Sequence, residues 1–482
     1  MPYGHSAIRK LNIVELSDTK KIKIYFLWPR GQPAKQKESS LSKALLNKVR
    51  LAAAGRHYFV AKSAVEMRDM TRKKVLIVGG GVAGMMAAGV CAQNGAEVFI
   101  LEKNDLLGKK LRITGKGRCN ITNNCDVQTF MANVPRNGKF LYSAISSFSP
   151  SDTMSFFEAR GLAIKTERGG RVFPASDKAI DVVRALENFV AEAGVKILNA
   201  RARKLLVKDG KCDGVETQSG QKIFADAVIL ATGGLSYPRT GSTGDGYKMA
   251  RNVEHTIVEP RPSLVPLESS DDFCKELQGL SLRNVAIELI EKDSNKVVYS
   301  DFGEMLFTHF GISGPMVLSA SAHMLKNKPY AAKIDLKPAL SLEQLDKRLL
   351  RDLEKYQNKD FGNALGDLLP KKLIPVVIRL SGIPAELKCH QISRAMRLKL
   401  VSLLKGLEVN ITGTRSIDEA IITAGGVKTS EVNPKTLESK LVRGLHFAGE
   451  VLDVDAYTGG FNLQIAFSTG YLTGLAAAQR SE

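Results

Sequence analysis

Long apolar runs are missing from this sequence: no stretch reaches the about 18 consecutive apolar residues that a membrane-spanning helix needs. The first thirty residues also lack the compact apolar core and small-residue cleavage site of a secretory signal peptide. These absences argue against a membrane span and against secretion. We therefore expect a protein that works in the cytoplasm and has no membrane partner.

Cysteine is scarce, and none of the six cysteines stands in a C-x-x-C pair. Zinc sites and disulfide frameworks require cysteines at short, regular spacings. We therefore expect no metal site and no disulfide framework. Most of the cysteines are interpreted as reduced, structural residues: Cys91, Cys119, Cys125, Cys212, Cys274 and Cys389.

Acidic residues are too few to balance the basic ones, with 49 Asp or Glu against 69 Lys or Arg and a net charge of +20. Such an excess is unusual for an enzyme of small metabolites and indicates contact with a polyanion or an acidic surface. Residues 1 to 72 hold fifteen Lys or Arg against five Asp or Glu, so half of the excess lies there. The length and the 44% apolar content predict two or three globular domains.

The clearest motif is KKVLIVGGGVAGMMAAGVCAQNGAEVFILE, from Lys73 to Glu102. It reads as a strand, a tight glycine loop, a helix and a second strand, the opening unit of a dinucleotide-binding fold. A side chain at Gly79 would obstruct the turn, and one at Gly81 would hold the backbone away from a pyrophosphate. A side chain at Gly84 would push the helix off the strand.

The same motif predicts how a nucleotide is held. The helix after the glycines directs free N–H groups and its positive dipole end at the pyrophosphate. Glu102 ends the second strand 23 positions after Gly79, where a carboxylate accepts hydrogen bonds from a ribose and repels a 2′-phosphate. The motif therefore predicts a dinucleotide that contains adenosine, and it leaves FAD and NAD as alternatives.

Residues 1 to 70 contain the only tryptophan, Trp28, and show little periodicity. They fit a basic flexible tail, a targeting peptide, or translated upstream sequence before a start at Met67 or Met70. Two acidic residues, Glu15 and Asp18, argue against a transit peptide. We interpret this extension as disordered or not native.

Three further segments have the glycine content of ligand loops. In NDLLGKKLRITGKGRCNITNN after Glu102, glycines alternate with basic residues, which suits a phosphate or an electron-rich ring, although a solvated loop would look similar. DAVILATGG, residues 226 to 234, reads as a buried strand that approaches a ligand. SYPRTGSTGDGY, residues 236 to 247, reads either as a ligand loop that opens a helix or as an ordinary long loop.

From about Pro260 the pattern becomes strand-like, and from 341 to 406 it becomes helical. Between Lys371 and Lys405 there are eight Lys or Arg and one acid, Glu386. This local excess is consistent with a solvated helical face or with a nucleic-acid contact.

The last segment indicates which dinucleotide is bound. GLHFAGE, residues 444 to 450, reads as a short strand that ends in Gly449-Glu450, and a helix is predicted to start near Phe461. This order places Glu450 on a polyol hydroxyl and the helix amides on the edge of an electron-rich ring. A flavin with a ribityl chain has both groups and NAD has no ribityl, so FAD is favoured.

These motifs match a known family. VGGGVAGMMAA, GKKLRITGKGRCNITN, DAVILATGG, GEMLFTHFGISGP and GLHFAGEVLDVDAYTGGFNLQIAFSTGY resemble, in order and spacing, the BaiN/YhiN-like FAD-dependent oxidoreductases. The resemblance covers residues 73 to 480. It implies an α/β fold with a split Rossmann-like FAD-binding domain of the two-dinucleotide-binding type, an inserted β-barrel-like domain and a small helical module.

The expected domain boundaries follow from this resemblance and from the changes of pattern. After the extension of residues 1 to 70, we expect the FAD-binding domain in residues 71–260 and 416–482. We expect the β-rich substrate domain in residues 261–340 and 406–415, and the basic helical insert in residues 341–405.

The resemblance also implies which residues bind FAD. The glycine motif would lie on the diphosphate, Glu102 on the adenosine ribose, and Glu450 on the ribityl chain. The full set is Gly79, Gly81, Val82, Ala83, Gly84, Glu102, Lys103, Lys110, Thr114, Arg118, Asn120, Gly233, Gly449, Glu450, Asn462 and Leu463.

Family members are associated with reduction of C=C bonds in enone-like substrates and with amine oxidation, and one branch with dihydrouridine synthesis in 23S rRNA. A non-catalytic, RNA-binding flavoprotein is a further alternative. The basic charge favours 23S rRNA or a ribosome precursor as the partner. The expected RNA contacts are Lys371, Lys372, Arg394 and Arg397. NAD(P)H is the expected electron donor. Cys119 and His309 are the candidate proton donors. The alternative for Cys119 is a packed core residue, and the alternative for His309 is a structural hydrogen bond.

Overall fold

The computed structural model describes residues 72–479. The predicted N-terminal extension, with Trp28, Met67 and Met70, lies outside the described residues. The described chain forms one compact unit. Among the residues described, no helix combines the length and the apolar character needed to cross a bilayer.

The first part of the chain alternates strands and helices before a small antiparallel meander. Its elements are β1 (Lys74–Val78), α1 (Val82–Gln93), β2 (Glu97–Glu102), β3 (Thr122–Asn123), α2 (Val127–Ala132), α3 (Gly138–Ser147), α4 (Pro150–Glu158), β4 (Ile164–Glu167), β5 (Arg171–Pro174), α5 (Ala179–Glu192), β6 (Lys196–Asn199), β7 (Ala202–Lys208), β8 (Lys211–Thr217), β9 (Lys222–Phe224), β10 (Ala227–Leu230) and α6 (Asp245–Arg251).

The middle part is richer in strands and ends in three longer helices. Its elements are β11 (Ile257–Ser263), β12 (Leu267–Ser269), α7 (Asp272–Glu276), β13 (Ser281–Glu291), β14 (Lys296–Thr308), β15 (Gly311–Ser313), α8 (Pro315–Ser321), β16 (Tyr330–Asp335), α9 (Leu342–Lys355), α10 (Ile374–Ser381), α11 (Arg394–Lys405) and β17 (Leu407–Thr414). The chain then returns through β18 (Ile422–Val427), β19 (Leu445–Phe447) and α12 (Phe461–Ala478).

A parallel sheet of order β19-β10-β1-β2-β6 forms the centre of the first part. The strands β1 and β10 are almost entirely apolar and buried, as expected when helices and loops cover both faces of a parallel sheet. The last strand, β19, pairs with β10 in parallel, so the C-terminal segment completes a sheet that the N-terminal segment begins. The domain is therefore split in sequence.

Close packing of α1 against α12 joins the two segments. A Cβ on Gly470 would lie 2.5 Å from the carbonyl oxygen of Ala83, and one on Gly474 would lie 2.8 Å from that of Ala87. The two helix backbones therefore approach each other more closely than larger residues would allow.

The inserted part is a closed six-stranded barrel of order β12-β15-β14-β13-β16-β17. Helices α9, α10 and α11 pack against it and share its hydrophobic core, which includes Ile287, Leu349 and Leu400. A two-stranded ribbon of β11 and β18 connects this part to the sheet. The predicted fold class, a split Rossmann-like domain with a barrel and helices inserted, is confirmed. The exact domain boundaries remain a proposal.

Candidate cofactor and active site

A cleft lies at the carboxyl ends of the parallel strands, the edge at which open α/β sheets bind ligands. Three strands end at this cleft, which is lined by Val78 at the end of β1, Leu101 near the end of β2 and Ala231 after β10. Most of the residues that the sequence assigns to FAD line this cleft: Gly79, Gly81, Val82, Ala83, Glu102, Lys103, Lys110, Thr114, Gly233, Gly449, Glu450, Asn462 and Leu463.

The glycine turn between β1 and α1 has three geometrically distinct positions. Gly79 has φ of 108°, and a Cβ there would lie 2.5 Å from the carbonyl oxygen of Ala231. A Cβ on Gly84 would lie 1.9 Å from the carbonyl oxygen of Gly79, so Gly84 serves helix packing and does not line the cleft. A Cβ on Gly81 would meet nothing within 4 Å. Space for a bound group therefore remains beside Gly81.

Glu102 ends β2 and is buried at the wall of the cleft. Its carboxylate accepts hydrogen bonds from the Gly80 N–H at 2.7 Å, and from the N–H and side-chain amide of Asn104 at 2.8 and 2.7 Å. A carboxylate has about four acceptor positions. One position therefore remains for a ligand hydroxyl.

A charged cluster next to Glu102 was not predicted from the sequence. Lys103 donates to Asp245 at 2.8 Å, and Arg201 donates to both carboxylate oxygens of Asp245 at 2.8 and 3.1 Å. Burial alone would raise the pKa of Asp245, but the hydrogen bonds from Arg201 and Lys103 lower it to about 2. All three residues line the cleft. The one sequence signal was that Asp245 lies in the glycine- and hydroxyl-rich segment of residues 236 to 247.

Lys110 and Glu450 also line the cleft and form an ion pair. Lys110 Nζ donates to Glu450 Oε2 at 2.8 Å and to Ser236 Oγ at 2.6 Å. The other carboxylate oxygen of Glu450 accepts from Ser236 Oγ at 3.0 Å and from the Thr423 N–H at 2.8 Å. This network holds together three loops that are distant in sequence.

Helix α12 begins at Phe461, as predicted, and its first turn lines the cleft through Asn462 and Leu463. The Asn462 side chain donates to the Ala456 carbonyl at 2.7 Å and accepts from the Ala456 N–H at 3.0 Å. Its amide therefore fixes the preceding loop. The backbone N–H groups of the first helical turn remain as donors toward the cleft.

The basic loop after Glu102 is only partly at the cleft. Thr114 lines it, whereas Arg118 and Asn120 do not. The Arg118 guanidinium forms ion pairs with Glu167 and Asp177 and lies 4.2 Å from the centre of the Phe173 ring. The charge of Arg118 is thus engaged by two carboxylates, and its contact with the cofactor stays a prediction.

The residues present fit FAD. The open position at Gly81 suits a diphosphate, Glu102 keeps an acceptor for a ribose hydroxyl, and the start of α12 suits a ring edge that becomes negative. One side-chain atom that lines the cleft, Thr232 Oγ1, is buried without a hydrogen-bond partner in the described chain. Buried polar atoms normally have a partner, and a bound cofactor could supply one.

Neither predicted proton donor reaches the cleft. Cys119 is fully buried in the core beside α1, and burial raises the pKa of its thiol to about 12. His309 is exposed at the turn between β14 and β15, with its ring 5.0 Å from that of Phe310. Neither residue lines the cleft. Their roles as proton donors stay predictions, and neither position favours them.

A second group of polar side chains was missed. Tyr457, in the loop before α12, pairs with His323 after α8, and Tyr299 of β14 packs on both rings. Tyr457 lies within GLHFAGEVLDVDAYTGGFNLQIAFSTGY, one of the motifs that carry the family resemblance, so the sequence did point to this loop. Its partners are more than 130 residues away in sequence, which no local pattern reveals.

The basic helical segment, from Lys371 to Lys405, has fewer unpaired cations than its sequence indicates. Four of its eight cations form ion pairs with carboxylates from outside the segment: Arg379 with Glu276, Lys388 with Asp360, Arg397 with Asp346, and Lys405 with Asp335. Arg397, a predicted RNA contact, is thus engaged by Asp346, and its contact with RNA stays a prediction. Lys371, Lys372 and Arg394 are exposed, and no carboxylate of the described residues pairs with them.

The chain is similar to known proteins over most of its length. Residues 73–476 match the model of the HI0933-like protein Rossmann domain. A 3-dehydro-bile acid delta(4,6)-reductase of Clostridium scindens is 36% identical over 84% of this chain and 99% of its own length. A ribosomal RNA dihydrouridine synthase of Escherichia coli K12 is 31% identical over 83% of this chain and 97% of its own length. The protein of the same name from Haemophilus influenzae is also 31% identical, over 84% and 98%.

Proposed function

Since the chain belongs to the HI0933-like Rossmann-domain family and is an FAD-dependent oxidoreductase, we propose that it reduces a C=C bond conjugated to a carbonyl group. Our best candidate for the substrate is a uridine of 23S rRNA, which the reaction converts to dihydrouridine. NAD(P)H is the proposed source of electrons.

The bond type follows from what two differently named relatives share. A 3-dehydro-bile acid delta(4,6)-reductase is named for C=C bonds in a ring system that carries an oxo group, and a dihydrouridine synthase saturates the C5–C6 bond of uracil, conjugated to a carbonyl. In both cases the carbonyl makes the distal carbon electrophilic. A site that favours hydride transfer to such a carbon serves both substrates, so this reaction class is the best supported part of the proposal.

The residues of the cleft have distinct parts in this reaction. The Gly81 turn and the start of α1 would hold the diphosphate, Glu102 the adenosine ribose, and Glu450 the ribityl chain. When bound, FAD supplies the hydride. The start of α12 would stabilise negative charge at the edge of the ring.

The choice of an RNA substrate depends on one observation: exposed cations without carboxylate partners remain in the helical segment. Lys371 and Lys372 precede α10, and Arg394 begins α11. RNA binding requires cations that neutralise phosphates, and cations already engaged in ion pairs contribute less. Residues 73 to 482 carry half of the net charge of +20, and this excess points in the same direction.

The test is the dihydrouridine content of 23S rRNA, measured by mass spectrometry in cells with the gene deleted and in cells with the gene restored from Met70. We expect one dihydrouridine to disappear on deletion and to return on restoration. A Gly81→Asp variant, whose carboxylate would occupy the diphosphate position, should fail to restore it. An unchanged rRNA would refute the RNA substrate.

The second candidate is a small conjugated enone, such as a steroid with a 3-oxo-4,6-diene. It is favoured by the higher identity, 36%, to the bile acid reductase. Purified holoenzyme should then consume NAD(P)H with the steroid alone, and the rate should depend little on salt. An RNA substrate instead predicts an affinity that falls steeply with salt concentration.

A further inference from the structure

A group of hydrogen-bonding side chains joins the cofactor-binding part to the barrel and has no role in the cofactor contacts described above. Tyr457 Oη and His323 Nε2 are 2.7 Å apart. The His323 ring lies 5.0 Å from that of Tyr299, which also packs edge-on to Tyr457 at 5.7 Å. Tyr299 Oη in turn donates to Asp301 at 2.8 Å. The pair of Tyr457 and His323 is therefore held in place from both sides.

The loop that carries Tyr457 is fixed to the wall of the cleft. Asn462, which lines the cleft at the start of α12, donates to the carbonyl of Ala456 at 2.7 Å and to that of Tyr457 at 3.3 Å. Val454, three residues before Tyr457, also lines the cleft. Tyr457 itself is only partly buried. The backbone of Tyr457 therefore lies beside residues that line the cleft, and its phenol contacts His323 of the inserted part.

We propose that the Tyr457 hydroxyl protonates the carbon next to the carbonyl group during C=C reduction, and that His323 positions and reprotonates it. This inference rests on the proposed function. The hydride from reduced FAD adds to the distal carbon, and the former π-electron pair takes the Tyr457 proton to form the second C–H bond. The O–H electron pair stays on the phenol oxygen. The phenolate then receives the Nε2 proton of His323 as water supplies a proton to Nδ1.

The electrostatics of the pair suit this role. Burial raises the pKa of Tyr457, and the charges of Asp301 and Asp455 raise it further, so the phenol keeps its proton at neutral pH. Burial lowers the pKa of His323, and the positive charge of Arg136 lowers it further, so the imidazole is neutral. A neutral imidazole can accept a proton at one nitrogen while it gives one up at the other.

The test is a single turnover of the FAD-bound protein. Holoenzyme is reduced with dithionite without oxygen and mixed with unmodified 23S rRNA or a 3-oxo-4,6-diene steroid, and flavin reoxidation is followed by absorbance. We expect Tyr457→Phe to slow reoxidation by about 100-fold or more, as for loss of a general acid. His323→Gln should show a smaller loss, and Tyr142→Phe, at an exposed position of α3, should show none.

Three further readouts separate proton transfer from a structural role. In Tyr457→Phe the FAD content, the melting temperature and substrate binding to the oxidised holoenzyme should match the wild type. A D2O solvent isotope effect on the wild-type turnover should change in the variant. If Tyr457→Phe turned over at the same rate as the wild type, the inference would be overturned and the proposed function would stay intact. Loss of FAD or of stability in Tyr457→Phe would assign the residue a structural role and also overturn it. A wild-type flavin that neither substrate reoxidises would refute the proposed function itself.

Discussion

The Cβ position of Gly84 lies 1.9 Å from the carbonyl oxygen of Gly79, whereas the Cβ position of Gly81 has no atom within 4 Å. Two glycines of one motif thus have different roles. Gly84 allows α1 to pack on the turn, and Gly81 leaves room for a ligand. Backbone geometry at Gly81 does not itself require glycine, since its φ is −78°.

Alanine substitutions should separate these roles. We expect Gly81→Ala to keep the melting temperature of the FAD-free protein and to lose FAD. Gly84→Ala should destabilise the fold by about 2–4 kcal/mol, because a backbone contact must open. FAD content and thermal unfolding of the FAD-free proteins measure both effects. Full FAD occupancy in Gly81→Ala would contradict the placement of the diphosphate.

Glu450 should contribute to FAD affinity. Its carboxylate accepts from Lys110, Ser236 and the Thr423 N–H, so its loss removes a proposed ribityl contact and loosens the loops around it. We expect Glu450→Ala to weaken FAD binding by about tenfold or more, the effect of losing one charged hydrogen bond. A FAD titration of the FAD-free protein measures this.

A matched control for Glu450 is Glu187 of α5, which pairs with the same basic loop. Glu187 pairs with Arg112 at 2.8 Å but does not line the cleft. Glu187→Ala should leave the affinity for FAD unchanged. Equal weakening in the two variants would show that the effect comes from the loop and not from contact with the cofactor.

Local sequence patterns predicted the backbone of the site well. The glycine turn, the acid at the end of β2 and the start of α12 at Phe461 each depend on a few neighbouring residues, and the structure has them as expected. The sequence also predicts a helix from Asp177 to Glu192 with Ser176 as its cap, whereas α5 begins at Ala179 and Ser176 Oγ donates to Asp181. Element type was thus easier to predict than the hydrogen bonds at an element's end.

Side-chain partners distant in sequence could not be predicted. Lys103 meets Asp245 across 142 residues, and His323 meets Tyr457 across 134. Arg118 was placed on the cofactor because its loop is there, yet two carboxylates outside the loop bind it. Which partner a charge finds depends on tertiary packing, which spacing along the chain does not encode.

Asp245 should make stability depend on pH in acid. Its pKa falls from 3.8 to about 2 in the folded protein, so the unfolded chain binds its proton first as pH falls. The stabilisation is therefore complete above about pH 5 and is lost as pH falls through about 2; it amounts to about 2 kcal/mol. Urea unfolding of wild type and Asp245→Asn should differ by this amount at pH 7 and converge by about pH 1. A constant difference would exclude titration of Asp245 as the cause.

Cys119 should contribute to stability and not to catalysis. Its side chain is fully buried in the core, so Cys119→Ala removes packed atoms and should cost about 1–2 kcal/mol of unfolding free energy. The turnover rate of the folded holoenzyme should stay within about twofold of wild type, since the thiol does not line the cleft. A large loss of turnover at full FAD occupancy would restore Cys119 as a candidate acid.

Free and paired cations of the helical segment should differ in their effect on RNA binding. Lys371 and Arg394 have no carboxylate partner among the described residues, whereas Arg379 and Lys388 are paired with Glu276 and Asp360. We expect Lys371→Gln/Arg394→Gln to weaken binding of 23S rRNA by about tenfold and to reduce the slope of log affinity against log salt by about 1–2.

The control, Arg379→Gln/Lys388→Gln, removes the same number of positive charges. Because those two cations already neutralise carboxylates, the control should change affinity by less than about threefold. Affinity and slope can be measured by filter binding between 50 and 200 mM salt, roughly the range over which phosphate contacts dominate. Equal losses in both variants would mean that net charge alone attracts the RNA, and would remove Lys371 and Arg394 as specific contacts.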